Sequence, residues 1–337
     1  MKIHYKTFGC KVNQCETNGM MALTQSAGCQ TVAQTDAADV VIINSCTVTS
    51  NADRKTKQYL RKCLRLNPKV KIFLTGCYVE RAEKELATQF LSMAPTAVYP
   101  DIKFFKNSEK QNILSILDLP LPTYPLTHLS THFANRTRAF VKIQDGCDGK
   151  CSYCVVPKVR PVLSSKSPNE VISQVNDYVS TGHKEIVLCG IRLGKYCWGS
   201  EVGEWKLVDL IKKLEKIDGL YRIRLSSIEL NDITDDLVKL MANSKKLCHH
   251  LHIPLQSGDD GVLSDMNRPY TTKDFFDRIE KIRKAIPDIG ITTDIIICYP
   301  ADTDETLKKT YNFVKKCVFS RLHTFKFSER PQTVVAL

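Results

Sequence analysis

Cys147-Asp148-Gly149-Lys150-Cys151-Ser152-Tyr153-Cys154 carries three thiols at CxxxCxxC spacing, directly after the extended apolar run Ala139–Gln144. Three thiolates on one short loop can hold three irons of a cubane iron–sulfur cluster and leave the fourth iron open to another ligand. Zinc is the competing metal. A closed structural zinc site, however, takes a fourth Cys or His at finger-like spacing, and none follows nearby. A ligand loop just beyond a strand also suits a parallel α/β architecture, where chemistry gathers at the carboxyl ends of the strands.

Downstream of that loop the sequence alternates between helix-like and strand-like runs. They are Asn169–Val179, Glu185–Cys189, Lys206–Lys216, Tyr221–Ser226, Thr234–Met241, His249–Leu255, Thr272–Ala285, Ile291–Cys298, Asp304–Val318 and Arg321–Phe327. With Ala139–Gln144 this makes six strands and five intervening helices, which predicts a partial (βα)6 barrel, or a strongly curved parallel sheet, over residues 139–337. Upstream, Leu119–Arg138 holds three prolines and little periodicity and reads as a linker.

Before the linker the alternation is Ile3–Phe8, Glu16–Ala27, Val40–Asn44, Asn51–Arg65, Val70–Thr75, Arg81–Phe90 and a short Ala97–Tyr99. It predicts a parallel sheet of flavodoxin/Rossmann type across residues 1–118, so the whole chain is α/β. Three more cysteines follow strands of this sheet, in Phe8-Gly9-Cys10, Asn44-Ser45-Cys46 and Thr75-Gly76-Cys77. Loops at the carboxyl edge of one parallel sheet converge, so these distant residues can form a second three-thiolate site.

Fourteen cysteines in 337 residues is a high count. The start MKIHYKTFGC lacks the pattern of a signal peptide, and no apolar stretch reaches membrane-spanning length, so the expectation is a cytoplasmic protein with no membrane partner. In a reducing compartment thiols bind metal rather than pair. Cys15, Cys29, Cys63, Cys189, Cys197, Cys248, Cys298 and Cys317 are expected to be core or incidental residues. A formal net charge of +12 points to a polyanionic partner. Between Asn51 and Ile72, Arg54, Lys55, Lys57, Arg61, Lys62, Arg65, Lys69 and Lys71 accompany a single acid, Asp53. On a helix these cations would line one electropositive side, or simply a solvated face.

The CxxxCxxC loop after the first strand of a partial barrel resembles the radical S-adenosylmethionine (SAM) superfamily. Around it, Phe8–Gln14, Asn44–Thr49, Thr75–Cys77, Arg224–Glu229, His252–Gly258, Met266–Thr271 and Ile291–Ile296 resemble the methylthiotransferases of that superfamily, over nearly the whole chain. Gly9-Cys10-Lys11-Val12-Asn13-Gln14 is most similar to the MtaB-type branch, which acts on threonylcarbamoyladenosine in tRNA. The resemblance implies two 4Fe-4S clusters. One, on Cys147, Cys151 and Cys154, would pass an electron to SAM and release a 5′-deoxyadenosyl radical that abstracts hydrogen from C2 of the adenine. The other, on Cys10, Cys46 and Cys77, would carry the inserted sulfur, and a further SAM would donate the methyl group. It also implies a reduced donor such as flavodoxin or ferredoxin and a monomeric enzyme.

Strand ends of the expected barrel offer residues to hold SAM and substrate: Gly190, Ser226, Ser227, Gln256, Ser257 and Asp294. Each also suits a turn or a satisfied core hydrogen bond. Arg160, near the cluster loop, is expected either to pair with a carboxylate or a phosphate or to be ordinary surface; Tyr153 and Pro157 are expected to shape the loop. The chain departs from the family pattern at Arg160-Pro161, Ser165-Lys166, Cys298–Thr303 and Ser328–Thr333, and no C-terminal RNA-gripping β-barrel (TRAM) precedes Leu337. The competing expectations are a ribosomal-protein aspartate methylthiotransferase, and a truncated, non-catalytic iron–sulfur protein that binds RNA.

Overall fold

Val40, Val41, Ile42 and Ile43 make a continuous apolar run, the signature of a strand covered on both faces. In the computed structural model, which describes residues 1–91, 101–121, 137–199 and 203–336, this run is the middle of a parallel sheet. The chain divides into two compact units, Met1–Ala134 with Lys158–Arg160, and Asn135–Pro157 with Pro161–Leu337.

The first unit holds β1 (Lys2–Thr7), β2 (Gln30–Thr31), β3 (Val40–Ser45), β4 (Lys71–Gly76) and β5 (Ile102–Phe104), in the order β2-β1-β3-β4-β5, all parallel. Its helices are α1 (Lys11–Ser26), α2 (Ser50–Leu66) and α3 (Cys77–Leu91). Successive strand residues point to opposite faces. Thus Val40 and Ile42 join Ile3, Met20 of α1, Phe73 and Ile113 in one core, while Val41 and Ile43 join Leu60 and Cys63 of α2, and Tyr78 and Leu86 of α3, in the other.

One sequence expectation needs correction here. The third helix begins at Cys77, not Arg81, because Gly76 still belongs to β4 and the turn takes no residues; the backbone instead kinks at Ala82 (φ −144°). The strand expected at Ala97–Tyr99 lies outside the described residues, as does most of the expected linker 119–138.

The second unit carries β6 (Arg138–Lys142), β7 (Glu185–Cys189) and β8 (Arg222–Leu225) in one parallel ladder. β9 (His250–His252), β10 (Gly290–Ile297) and β11 (Arg321–Lys326) form another. Isolated parallel bridges, Ile223↔Leu247 and Ser227↔His252, join the two without closing the ring. Outside them lie α4 (Pro168–Ser180), α5 (Leu207–Leu214), α6 (Asp235–Asn243), α7 (Asp260–Asp265), α8 (Thr272–Ala285) and α9 (Asp304–Cys317).

Helix α8 shows how locally the unit is encoded. Thr271 Oγ1 accepts from the Asp274 N–H (3.2 Å) while the Asp274 carboxylate accepts from the Thr271 N–H (2.9 Å), a reciprocal cap worth about 1 kcal/mol. Phe275, Ile279 and Ile282 then fall on one face and are fully buried against the strands. Each such side chain contributes about 1.5–3 kcal/mol. His250–His252 is shorter than the expected His249–Leu255, since Pro254 has no N–H for a ladder and the Leu255 N–H bonds to Thr293 Oγ1 instead (3.0 Å). Among the described residues no helix is long and apolar enough to cross a membrane.

Candidate iron–sulfur and cofactor sites

Cys10, Cys46 and Cys77 stand at the carboxyl ends of β1, β3 and β4, which are neighbours in the sheet. A Cβ built on Gly9 would lie 2.9 Å from Cys46 Sγ, so the chain just before Cys10 sits against the Cys46 thiol. Burial pushes the Cys46 thiol up to about 12, with the Cys77 and Cys10 sulfurs adding to the shift. The three thiols therefore share one small volume, and burial raises Cys10 as well as Cys46, so that these two resist ionising without a cation beside them. None of them forms a disulfide.

Side chains around this triad hold it in place. Asn13 Nδ2 donates to the carbonyls of Phe8 (2.9 Å) and Ser45 (3.0 Å), tying the loop before Cys10 to the one before Cys46. Arg81 of α3 donates to Thr47 Oγ1 (2.8 Å) and to Asp53 Oδ2 (2.9 Å), fixing the residue after Cys46 to the first turn of α2. Arg160, which packs in this unit, donates from Nε to Cys77 Sγ (3.4 Å) and reaches both Glu16 oxygens (2.8 and 2.9 Å) and Asn13 Oδ1 (3.0 Å). Lys110 approaches the same carboxylate at 2.5 Å, with every member of this ion-pair cluster buried. Thiols at three converging strand ends, with a buried cation on one sulfur, suit an anionic thiolate-held cluster.

In the second unit Cys147, Cys151 and Cys154 lie together, each within electrostatic reach of the others. Burial pushes Cys154 up to about 12 and raises Cys147. Donors converge on the sulfurs: the Gly149 N–H on Cys147 Sγ (3.2 Å) and Arg268 Nη1 on Cys151 Sγ (3.2 Å). Arg268 is itself buried, held by Glu229 and by Tyr270 Oη (2.8 and 3.0 Å).

The loop is clamped as well. Ser152 Oγ donates to the Asp265 carbonyl (2.8 Å), the Ser152 N–H to the Met266 carbonyl (3.1 Å), and Asn267 Nδ2 to the Lys150 carbonyl (2.7 Å). Tyr153 packs edge-on to Tyr299, with ring centroids 6.5 Å apart. A rigid loop with N–H and guanidinium donors on its sulfurs suits a three-thiolate cluster.

The remaining site residues fall into different surroundings. Ser226 is buried at the end of β8, and its Oγ has no hydrogen-bond partner among the described residues. Gln256 has φ +73°, unusual for a residue with a side chain, and is pinned to β10 through Gln256 N–Asp294 O and Ile296 N–Gln256 O, both 2.9 Å. Ser227 is exposed beside His252. Ser257 is spent internally, its Oγ near Thr310 Oγ1 (3.3 Å) and accepting from the Asp259 N–H (3.3 Å). The close approach at Gly190 is to Leu193 and Gln144. Asp294 lies between His252 Nε2 (3.1 Å) and His323 Nδ1 (3.2 Å).

Sequence reading assigned no role to Arg268, Glu229 or His323. Arg268 stands within Met266–Thr271, yet nothing in its spacing from Cys151, 117 residues earlier, marks it as a sulfur partner.

Residues 141–314 match the radical SAM superfamily, and residues 2–95 match the family described as uncharacterized protein family UPF0004. The chain is 37% identical, over 99% of its length and 75% of the relative's, to threonylcarbamoyladenosine tRNA methylthiotransferase MtaB of Bacillus subtilis. It is 38% identical to the MtaB of Thermotoga maritima, covering 98% of this chain and 76% of that one. It is 33% identical to a tRNA-2-methylthio-N(6)-dimethylallyladenosine synthase of Endomicrobium trichonymphae, with 98% and 77% covered. Among solved structures, the radical SAM methyltransferase TsrM of Kitasatospora setae has the same fold, with a TM-score of 0.66 at 11% identity over 96% of this chain and 72% of that one.

Proposed function

Since the chain belongs to the radical SAM methylthiotransferases, enzymes that use SAM and a 4Fe-4S cluster, we propose that it adds a methylthio group to C2 of N6-threonylcarbamoyladenosine beside the anticodon of a tRNA. One observation carries the choice of substrate: the relatives at 37% and 38% identity, aligned from end to end of this chain, are named for that nucleoside. The relatives named for the dimethylallyl nucleoside, such as the one at 33%, make that base the second reading.

In this reading Cys147, Cys151 and Cys154 hold the cluster to which SAM binds, and Cys10, Cys46 and Cys77 hold a second one. Bound there, the first would supply the electron that cleaves SAM to a 5′-deoxyadenosyl radical, and the second would supply sulfur. The residues of this chain orient and insulate. Arg268 places a fixed positive charge on Cys151 Sγ, with Glu229 and Tyr270 stopping it from swinging away. Ser226 Oγ, which has no hydrogen-bond partner among the described residues, and Gln256, held at a positive φ, are polar residues that could meet SAM. Asn13 and Arg160 keep the other triad's loops in register. Both triads sit on short segments clamped by hydrogen bonds, which limits the geometries a reacting base can meet.

Mass spectrometry of nucleosides from total tRNA tests the proposal. Cells lacking the protein should lose 2-methylthio-N6-threonylcarbamoyladenosine and retain its unmethylthiolated precursor. Loss of the dimethylallyl product instead would select the second reading. Unchanged tRNA, with loss of a methylthio-aspartate from a ribosomal protein, would move the enzyme to a protein substrate.

A further inference from the structure

Helix α2 starts directly beyond Cys46 and Thr49 and runs back along the sheet. Its buried residues are Asp53, Thr56, Leu60 and Cys63, which fixes which side faces water. With about 100° per residue, Arg61 and Arg65 fall within about 20° of Arg54 around the axis. Lys55 and Lys62 form a second row beside them, and all five are exposed. At 1.5 Å rise per residue the ridge extends for about 16 Å.

Several other cations of the first unit do have carboxylate partners. Lys57 pairs with Glu85, Lys106 with Glu83, Lys110 with Glu16 and Arg81 with Asp53. Asp53, the only acid of the segment, is buried and pairs with Arg81. Among the described residues, no carboxylate pairs with Arg54, Lys55, Arg61, Lys62 or Arg65; Arg54 is held only by Asn51 Oδ1 (2.9 Å). Like charges one turn apart, such as Arg61 and Arg65, weaken a helix by a few tenths of a kcal/mol. Three guanidiniums in line, unpaired and beginning at the edge of the Cys46 loop, have the chemistry of a phosphodiester contact.

We propose that the exposed ridge of α2, Arg54, Lys55, Arg61, Lys62 and Arg65, is a docking surface for the sugar–phosphate backbone of the tRNA. This rests on the tRNA reading above and adds the surface that grips it. Contacts of this kind displace condensed counterions, so each contributes roughly 0.7–0.9 to the slope of log K against log salt.

The test uses the cluster-loaded enzyme and an in vitro transcribed tRNA, with binding followed across salt concentrations. Combining Arg54→Gln, Arg61→Gln and Arg65→Gln should lower the salt slope by about two to three and weaken binding at least tenfold at physiological salt. The control removes the same charge from the second unit through Lys239→Gln, Lys273→Gln and Lys281→Gln, residues exposed but each paired with an aspartate. Its slope should stay within about one of the wild type. Melting temperature and iron content would show that both variants are folded.

Equal slopes for the two variants, or a ridge variant that binds like wild type, overturn the docking surface. If the wild type then still makes the methylthio product, the functional reading stands without it. A wild type that binds no tRNA removes both.

Discussion

Arg160 Nε lies 3.4 Å from Cys77 Sγ, and the same guanidinium spans both oxygens of Glu16 at 2.8 and 2.9 Å. The pair is buried, so neither charge is solvated, and the Glu16 carboxylate offsets the cost of burying the Arg160 guanidinium. Lys110 completes the arrangement, giving two cations to one carboxylate with thiols alongside. The surplus positive charge would suit the anionic cluster proposed for this triad.

The first prediction follows from that balance. Arg160→Met removes the two-point contact but leaves Glu16 compensated by Lys110, so it should cost roughly 1.5–3 kcal/mol in urea unfolding of the cluster-free protein. Arg160→Lys should recover only part of this, since an ammonium cannot span two oxygens. In the loaded protein, loss of the cation beside Cys77 should make the potential of the adjoining cluster more negative, read by redox titration with electron paramagnetic resonance. A potential that does not move would leave Arg160 with a purely structural role.

A second prediction concerns Gln256, whose φ of +73° costs a residue with a side chain about 1 kcal/mol. Gly adopts this conformation readily but loses more chain entropy on folding, so Gln256→Gly should leave stability within about 1 kcal/mol of wild type. Its affinity for SAM should nevertheless fall. Gln256→Ala, which keeps the strain and removes the same side chain, should lose SAM equally. Unaltered SAM binding by both variants, measured by equilibrium dialysis, would remove Gln256 from the cofactor site.

Gly146, the residue before Cys147, has φ +79°, and an added Cβ would lie 1.9 Å from the Val162 carbonyl oxygen. Backbone cannot yield as a flexible side chain does, so Gly146→Ala must displace the start of the cluster loop. The expected result is a protein still folded by circular dichroism that loads about half the wild-type iron and does not cleave SAM. Normal loading would mean that the Val162 segment moves freely, against the tight contact described.

Much of this was legible in the sequence because it is encoded locally. Thr271, Asp274 and the spacing of Phe275, Ile279 and Ile282 specify α8, whose bounds match the expectation, and Glu185–Cys189 is likewise a strand from end to end. The carboxyl-end positions of Cys10 and Cys46 follow from strand periodicity in the same way. What could not be read is what the fold assembles from afar. A carboxylate partner for Arg160 is among the sequence expectations, but not that it is Glu16, 144 residues away, and Arg268 meets Cys151 across 117; neither separation leaves a periodic trace. Gly76 misled for a different reason: before a cysteine it reads as a turn, whereas it is the last residue of β4, and its positive φ of +102° lets Cys77 open a helix at once.

The last prediction separates the two triads. Cys151 receives the Arg268 guanidinium on the clamped CxxxCxxC loop, and Cys46 lies in the other unit beneath Gly9. If each triad holds one cubane, the reconstituted chain should contain close to eight irons, and Cys151→Ala or Cys46→Ala about four. The activities should then part. Cys151→Ala removes a ligand from the cluster that meets SAM, so release of 5′-deoxyadenosine on reduction should vanish. Cys46→Ala leaves that cluster whole, so 5′-deoxyadenosine should still form while no methylthio product appears on tRNA. Equal loss of SAM cleavage in two folded variants, each retaining four irons, would mean that the triads do not divide the work. Eight irons in either variant would mean that the substituted cysteine is not a ligand.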